Sequence, residues 1–355
     1  MKVSVIIRAR NEYPVILSTI HALQEDLEWS GIEHEFIVVD NCSNDDTADI
    51  LEDRYRRWVK EKKLKVLRYT EKSSTWCAIN AGYTVSDGDV VVVCDAHITV
   101  STGTLELLTK QANERGGIWH ASTQIWGDTR QRNYGYDLTL EQNFWGNPCR
   151  FIPPGASIDE PWQIPMAGAC LFAVSRREIE EFGFYHPSFK TYGGGEPYLA
   201  FKWWLMGSKV WVEPRALCRH AFGLKARWVK AKKEKKTRGK VYLRNGTVKK
   251  NVDRNDEYLN YHGGYTIPLE DKCYNFLLAA YLIGCGKWLE RVTESFQSKF
   301  RDKKTVYQLA EQVCRDGGED RERIGQNSVC SFDQLLEDPP WLVCDQHRNL
   351  LESTT

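Results

Sequence analysis

Val90-Val91-Val92-Val93-Cys94-Asp95-Ala96-His97 runs from a block of valines into an acid, a small residue and a histidine. A short apolar run rich in β-branched residues, preceded by Asp87-Gly88-Asp89, reads as a strand buried on both faces. Strands of that kind belong to parallel sheets covered by helices, so the chain upstream should alternate between the two. Val3 to Ile7 is a second β-branched run, and Pro14 opens a segment whose Ile16, Ile20, Leu23 and Leu27 share one helical face. Phe36 to Val39 is a strand ending at Asp40, and Asn44 to Thr47 supply caps for a helix carrying Ile50, Leu51, Tyr55 and Trp58. Lys65 to Tyr69 reads as a strand and Thr75 to Val85 as a helix. The expected fold class is therefore α/β with a mostly parallel sheet.

Sheets of this kind bind ligands at the carboxyl ends of their strands. Those ends carry Arg8-Ala9-Arg10-Asn11-Glu12, Asp40-Asn41-Cys42-Ser43-Asn44 and Asp95-Ala96-His97. No GxGxxG or GxxxxGK[ST] loop follows any of them, which argues against a dehydrogenase or a P-loop NTPase. Strand alternation would point Asp95 and His97 the same way, about 6 to 7 Å apart, so that they could share one divalent cation. Carboxylate with imidazole suits Mn²⁺ better than an all-oxygen Mg²⁺ cage. The plainer reading of the pair is an ordinary strand terminus.

The 355 residues, 42% of them hydrophobic, can bury a sizeable core, and 48 basic residues balance 48 acidic ones. With zero formal net charge no global field points to nucleic acid or membrane, and any electrostatic clue is local. Met1 to Ile7 shows no basic n-region, apolar h-region or cleavage site, and we expect a non-secreted, cytoplasmic protein of a bacterium or phage-infected host. The 11 cysteines then read as free thiols. Phe276 to Gly286, the longest apolar stretch, falls short of the roughly 20 residues of a membrane span and reads as a buried helix. The sequons Asn41-Cys42-Ser43 and Asn245-Gly246-Thr247 receive no role.

The Asp95-Ala96-His97 segment, with Ala78-Ile79-Asn80-Ala81-Gly82 upstream, resembles the nucleotide-sugar half of metal-dependent glycosyltransferases of the A-type fold, in the family 2 superfamily. Their short acidic motif is usually Asp-x-Asp. The Asp-x-His form narrows the resemblance to the polypeptide N-acetylgalactosaminyltransferases. Met166-Ala167-Gly168-Ala169-Cys170-Leu171-Phe172 and Gly193-Gly194-Gly195-Glu196, followed by Phe201 to Gly207, resemble that family's two acceptor-half motifs in order and spacing. The match covers about residues 3 to 222.

The resemblance implies a Rossmann-like, mostly parallel sheet flanked by helices, with a helical C-terminal extension. It implies a UDP-sugar donor and a cation, Mn²⁺ or Mg²⁺, held by Asp95, His97 and His220. Asp40 would hydrogen-bond the uracil or its ribose, its plainer reading being a turn residue capping a helix. Arg8, Arg10, Glu12 and Asn80 would line the donor pocket. Glu196 would contact the donor sugar's hydroxyls, with Gly168 and Gly195 leaving room; the plainer reading of Glu196 is a first-turn carboxylate against a helix dipole. The resembled family retains anomeric configuration, so no dedicated base is implied; an inverting enzyme would use Glu196 or Asp159. Gly193 stands where the family has an aromatic residue, Tyr192 is adjacent, Pro197 replaces an asparagine, and Gly223 and Leu224 stand where basic residues are usual.

Lys225 to Lys250 holds 12 Lys/Arg against one acid, Glu234. Placed just after His220, this run points to a polyanionic acceptor, since lysine and arginine contacts with phosphates give sequence-independent affinity for nucleic acid. A hydroxymethylated pyrimidine in bacteriophage DNA is the favoured acceptor, contacted by Trp228, Lys230, Lys232, Lys233 and Tyr242, with base flipping. Rival readings are Ser/Thr on a polypeptide, a polysaccharide or lipid-linked intermediate, and an inactive nucleic-acid- or sugar-binding module. The expected divisions are 1–97 for the nucleotide-sugar half, 98–224 for the donor-sugar and acceptor half, 225–262 for the basic loop and 263–355 for the helical extension.

Overall fold

A computed structural model of the chain describes residues 1–127, 132–138, 149–151, 159–221 and 267–342. The first half alternates as the hydrophobic pattern dictates. Its elements are β1 (Lys2–Ala9), α1 (Val15–Trp29), β2 (Glu33–Asn41), α2 (Thr47–Arg54), α3 (Arg56–Lys60), β3 (Leu64–Tyr69), α4 (Thr75–Thr84) and β4 (Val90–Asp95). Then come β5 (Ile98–Val100), α5 (Thr104–Arg115), β6 (Ile118–Ile125), β7 (Arg132–Asn133), β8 (Tyr136–Leu138), β9 (Cys149–Phe151) and β10 (Trp162–Gln163). They are followed by β11 (Leu171–Ser175), α6 (Arg176–Phe182), α7 (Gly195–Leu205) and β12 (Val210–His220). Four helices close the described chain: α8 (Leu269–Ile283), α9 (Gly286–Gln297), α10 (Lys304–Asn327) and α11 (Phe332–Glu337).

The main sheet has the order β10-β12-β6-β11-β4-β1-β2-β3. The strands β1 to β4 pair in parallel, as expected. Beyond β4 the sheet is mixed, because β11 runs antiparallel to both β4 and β6. Alternation along the strands sorts the core onto two faces. Val90, Val92 and Cys94 pack with Ile16, Ile20, Leu23 and Leu27 of α1 and with α5. Val91 and Val93 pack with Ile6, Val39, Trp76 of α4 and the buried residues of α7.

Two expected helices differ in detail. The helix through Ile50 to Trp58 breaks at Tyr55, which lets Trp58 stack on Phe36 at 6.0 Å while Tyr55 packs on Trp58 at 5.1 Å. Its start has no capping bond from Asp46; Asp45 Oδ1 instead accepts the Thr47 N–H at 3.0 Å. The apolar stretch Phe276 to Gly286 is not one helix. α8 stops at Ile283, left-handed Gly284 follows, and Cys285 Sγ accepts the Trp288 N–H at 3.3 Å to start α9.

The C-terminal helices share the core of the sheet domain. Phe276, Leu277, Trp288, Val306 and Trp341 belong to the same buried cluster as Trp76 and Phe201. Among the described residues nine cysteines are free thiols, and no helix is long and apolar enough to cross a membrane.

Candidate metal and donor site

Asp95, His97 and His220 converge although 125 positions separate the first from the last. β4 ends at Asp95, Ala96 and His97 form a turn, and β5 pairs antiparallel with β12 so that Ile98 stands opposite His220. The turn, not strand alternation, brings His97 beside Asp95. It is held from α1, where Thr19 Oγ1 lies 3.0 Å from the carbonyls of Ala96 and Ile98 and accepts the Ile98 N–H at 3.1 Å. The Ala221 N–H donates to His97 O at 3.0 Å. The three residues each offer one ligand atom within 4.8 Å of the others. His220 Nε2 lies 2.9 Å from Asp95 Oδ2, and the two imidazole rings are 4.7 Å apart, edge to face. One carboxylate oxygen and two imidazole nitrogens form a donor set that fits a borderline divalent cation.

The other carboxylate oxygen is taken by Arg8, with Nε at 2.7 Å and Nη2 at 2.5 Å from Asp95 Oδ1. Burial alone would raise the Asp95 carboxyl; Arg8 and His220 outweigh it and hold the group well below the usual carboxylate range. The guanidinium also lies 5.5 Å over the Trp76 ring, and its Nη1 is buried with no hydrogen-bond partner among the described residues. Trp76 is a hub: its Nε1–H donates to Gly193 O at 3.1 Å, and its ring stacks on Tyr192 at 5.7 Å.

Glu196 stands in the first turn of α7, and Tyr192 OH donates to its Oε1 at 3.5 Å. Burial raises its carboxyl, and Arg8 pulls in the opposite direction. The glycines before it are needed for shape. Gly194 has φ +75°, and a Cβ there would stand 2.5 Å from Asn275 O; a Cβ on Gly195 would stand 2.3 Å from the Trp76 ring.

The remaining expected donor residues divide. Glu12 is buried with Oε2 3.2 Å from His97 Nδ1, so it backs the imidazole; Arg10 reaches Ser73 Oγ. Asp40 is buried at the end of β2, where Oδ1 accepts the Ser43 N–H at 3.2 Å, the turn-residue reading; burial raises its carboxyl. It follows Val38 onto the α1 face, whereas Asn41 follows Val39 onto the face of Arg8 and Asp95. Asn41 Oδ1 is buried there with no hydrogen-bond partner among the described residues. Asn80 Nδ2 donates to Tyr185 O at 2.7 Å and its Oδ1 accepts the Tyr185 N–H at 3.2 Å, so its carboxamide ties α4 to the segment before the glycine triplet. At Gly168 a Cβ would stand 2.6 Å from the Tyr136 ring. Trp228, Lys230, Lys232, Lys233 and Tyr242 lie outside the described residues. Sequence reasoning missed Thr19, Asn41 and Trp76; for Asn41 the signal was the strand period itself, which sets it on the same face as Arg8.

Residues 4–181 match the family described as Glycosyl transferase family 2. Polypeptide N-acetylgalactosaminyltransferase 5 of Caenorhabditis elegans is 26% identical over 233 residues, covering 62% of this chain and 37% of that protein. N-acetylgalactosaminyltransferase 7 of Drosophila melanogaster is 30% identical over 230 residues, covering 59% of this chain and 38% of that protein. The chain thus spans about two fifths of the length of these curated relatives. The crystal structure of GalNAc-T7 with UDP, GalNAc and Mn²⁺ superposes with a TM-score of 0.64 at 16% identity, over 97% of this chain and 57% of that one. The A-type fold expected from the motifs is the fold observed, and the chain belongs to glycosyl transferase family 2.

Proposed function

We propose that this chain transfers a hexosyl or N-acetylhexosaminyl group from a UDP-sugar to a hydroxyl acceptor, with Mn²⁺ or Mg²⁺ held by Asp95, His97 and His220. The observation that carries the reading is the convergence of these three ligands at the strand ends of a family 2 chain. Asp95, His97 and His220 would hold the cation, which would supply positive charge to offset the diphosphate of the leaving nucleotide. Arg8 keeps Asp95 ionised and fixed. Asn41 Oδ1 accepts the base N–H, the role first assigned to Asp40, and Glu196 accepts from the donor sugar's hydroxyls. Retention is what the resemblance to the polypeptide N-acetylgalactosaminyltransferases implies, with the acceptor attacking from the face the diphosphate leaves and no dedicated protein base.

Two acceptors have support. The printed names of the relatives, polypeptide N-acetylgalactosaminyltransferases, favour a Ser/Thr hydroxyl. The basic run Lys225 to Lys250 favours a hydroxymethylated pyrimidine in DNA, in a cytoplasmic setting. One experiment addresses donor, metal and acceptor together: Mn²⁺-dependent UDP release from a panel of UDP-sugars, offered a Ser/Thr peptide, plain DNA, hydroxymethylcytosine DNA or hydroxymethyluracil DNA. Release stimulated by the peptide with a sugar mass added to it supports the first acceptor. Release stimulated only by hydroxymethylated DNA supports the second. Turnover that survives both EDTA and Asp95→Ala overturns the metal reading.

A further inference from the structure

The loop that carries Tyr192 and leads to Glu196 is held from two sides, and one of them is the C-terminal helical region. On the α4 side, Cys77 Sγ donates to Phe189 O at 3.4 Å, the Thr75 N–H to Thr191 O at 3.0 Å, and Trp76 Nε1–H to Gly193 O at 3.1 Å. On the other side stands Asn275, in the middle of α8 and fully buried. Its Oδ1 accepts the Lys190 N–H at 2.8 Å, and its Nδ2–H donates to Tyr192 O at 3.1 Å. Its own carbonyl oxygen leaves no room for a side chain on Gly194, and the adjoining Phe276 ring crowds Gly193. A polar side chain among Cys273, Tyr274, Phe276 and Leu277, all at most 3% exposed, needs partners to offset its desolvation. Both of its partners are main-chain groups of this one loop.

We infer that Asn275 is a positioning residue for the donor sugar: from the C-terminal helical region it fixes the backbone of residues 190–194, and so the places of Tyr192 and Glu196. This rests on the sugar-contact role proposed above for Glu196. The consequence is selective. None of the bonds of Asn275 reaches the turn that holds Asp95, His97 and His220, so its loss acts first on the loop and reaches that cluster only indirectly, through Trp76 and Arg8. What it removes is the part of donor affinity that depends on the sugar.

The test is equilibrium binding of UDP and of a UDP-sugar, with Mn²⁺, to the full chain and to its Asn275→Ala and Asn275→Asp variants. Leu278→Ala serves as a control, a fully buried position on the same helix that packs near Gly317 of α10 and has no side-chain hydrogen-bonding group to offer the loop. The wild type is expected to bind the UDP-sugar more tightly than UDP. In Asn275→Ala that preference should shrink by ~10-fold, the order of one lost kcal-scale contact, while UDP affinity stays within twofold. Asn275→Asp keeps an acceptor for Lys190 and loses the donor to Tyr192, so it should lose part of the preference. Leu278→Ala should lower the melting temperature and keep the preference. If Asn275→Ala and Asn275→Asp keep it too, the inference is overturned and Asn275 only supports the fold. A wild type that binds UDP and UDP-sugar equally overturns the Glu196 reading and this inference with it.

Discussion

Arg8 and Asp95 are register partners across β1 and β4, and the Arg8 guanidinium grips one oxygen of the carboxylate whose other oxygen meets His220. The side chains are 11% and 13% exposed, so the pair is largely desolvated. Removing one partner of a buried pair strands the other, which typically costs about 3–5 kcal/mol. Arg8→Met should therefore lower stability by roughly 3 kcal/mol in urea denaturation and weaken Mn²⁺ binding, followed by EPR, by ~10-fold or more. Arg8→Lys keeps the charge without the planar fork and should fall between. A methionine variant that unfolds at the wild-type midpoint and binds Mn²⁺ unchanged would leave Arg8 with no part in the site.

Thr19 acts one step further out. Its hydroxyl is the only group of α1 among the described residues seen bonding the Ala96 and Ile98 main chain, and that turn sets His97 beside Asp95. Thr19→Val keeps the volume and deletes the hydroxyl, leaving buried main-chain groups short of a partner at about 1–3 kcal/mol. Mn²⁺ affinity should fall with stability, and Thr19→Ser should restore most of both. If valine lowers stability alone, the turn is set by β5 and β12 without help from α1.

How much of this was legible in the sequence follows from range. The first four strands, the core face of α1 and the strand-end ligands are set by local periodicity, and Ile16, Ile20, Leu23, Leu27 and Val90 to Cys94 are all buried as read. The three metal-ligand candidates were found through motif order, and the fold brings them together. What the sequence leaves open depends on contacts distant in the chain. The partner of the Asn80 carboxamide, Tyr185, lies 105 positions away. The ring that crowds Gly168 belongs to Tyr136. Asp40 and Asn41 stand on opposite faces of one strand end, and the motif favoured the acid. The role of α8 was illegible, because an asparagine in an apolar helix announces a need for partners without saying where they are.

Gly195 of the triplet and Gly286 of α9 give a contrast between two alanine substitutions. A Cβ on Gly195 would meet the Trp76 ring at 2.3 Å, and the ring is pinned by Gly193 O, Tyr192 and Arg8. Overpacking of this kind costs about 1–3 kcal/mol or more, and here the displaced ring carries the Arg8 contact, so Mn²⁺ affinity should drop as well. Gly286→Ala meets nothing within 4 Å at the first position of α9 and should be neutral or stabilising by up to ~1 kcal/mol. Thermal melts of the two variants, with and without Mn²⁺, test both statements. A Gly195→Ala protein with wild-type stability would mean that Trp76 is free to move, and the column from Asp95 through Arg8 to Trp76 would not be rigid.

Lys202 supplies a pH dependence in the helix that begins at Glu196. It is 2% exposed, its Nζ donates to Gly183 O at 2.9 Å and Phe184 O at 2.5 Å, and it lies 4.8 Å from the Tyr198 ring centroid. Burial pushes its amine down to about 7. In the unfolded chain a lysine titrates near 10.4. Between these values the unfolded chain binds a proton that the folded chain does not, so stability rises with pH, by at most ~1.4 kcal/mol per pH unit. Below about 7 both states are protonated and this contribution is flat. Lys202→Met removes the titration and leaves two carbonyls without their donor, so it should be less stable throughout, and the gap to wild type should widen from pH 7 towards pH 10. Urea midpoints of the two proteins at pH 6, 8 and 9.5 measure that gap, and other titrating groups cancel in the difference. A gap that is constant across the series would show that the two carbonyls and the Tyr198 ring keep the ammonium charged in the folded protein.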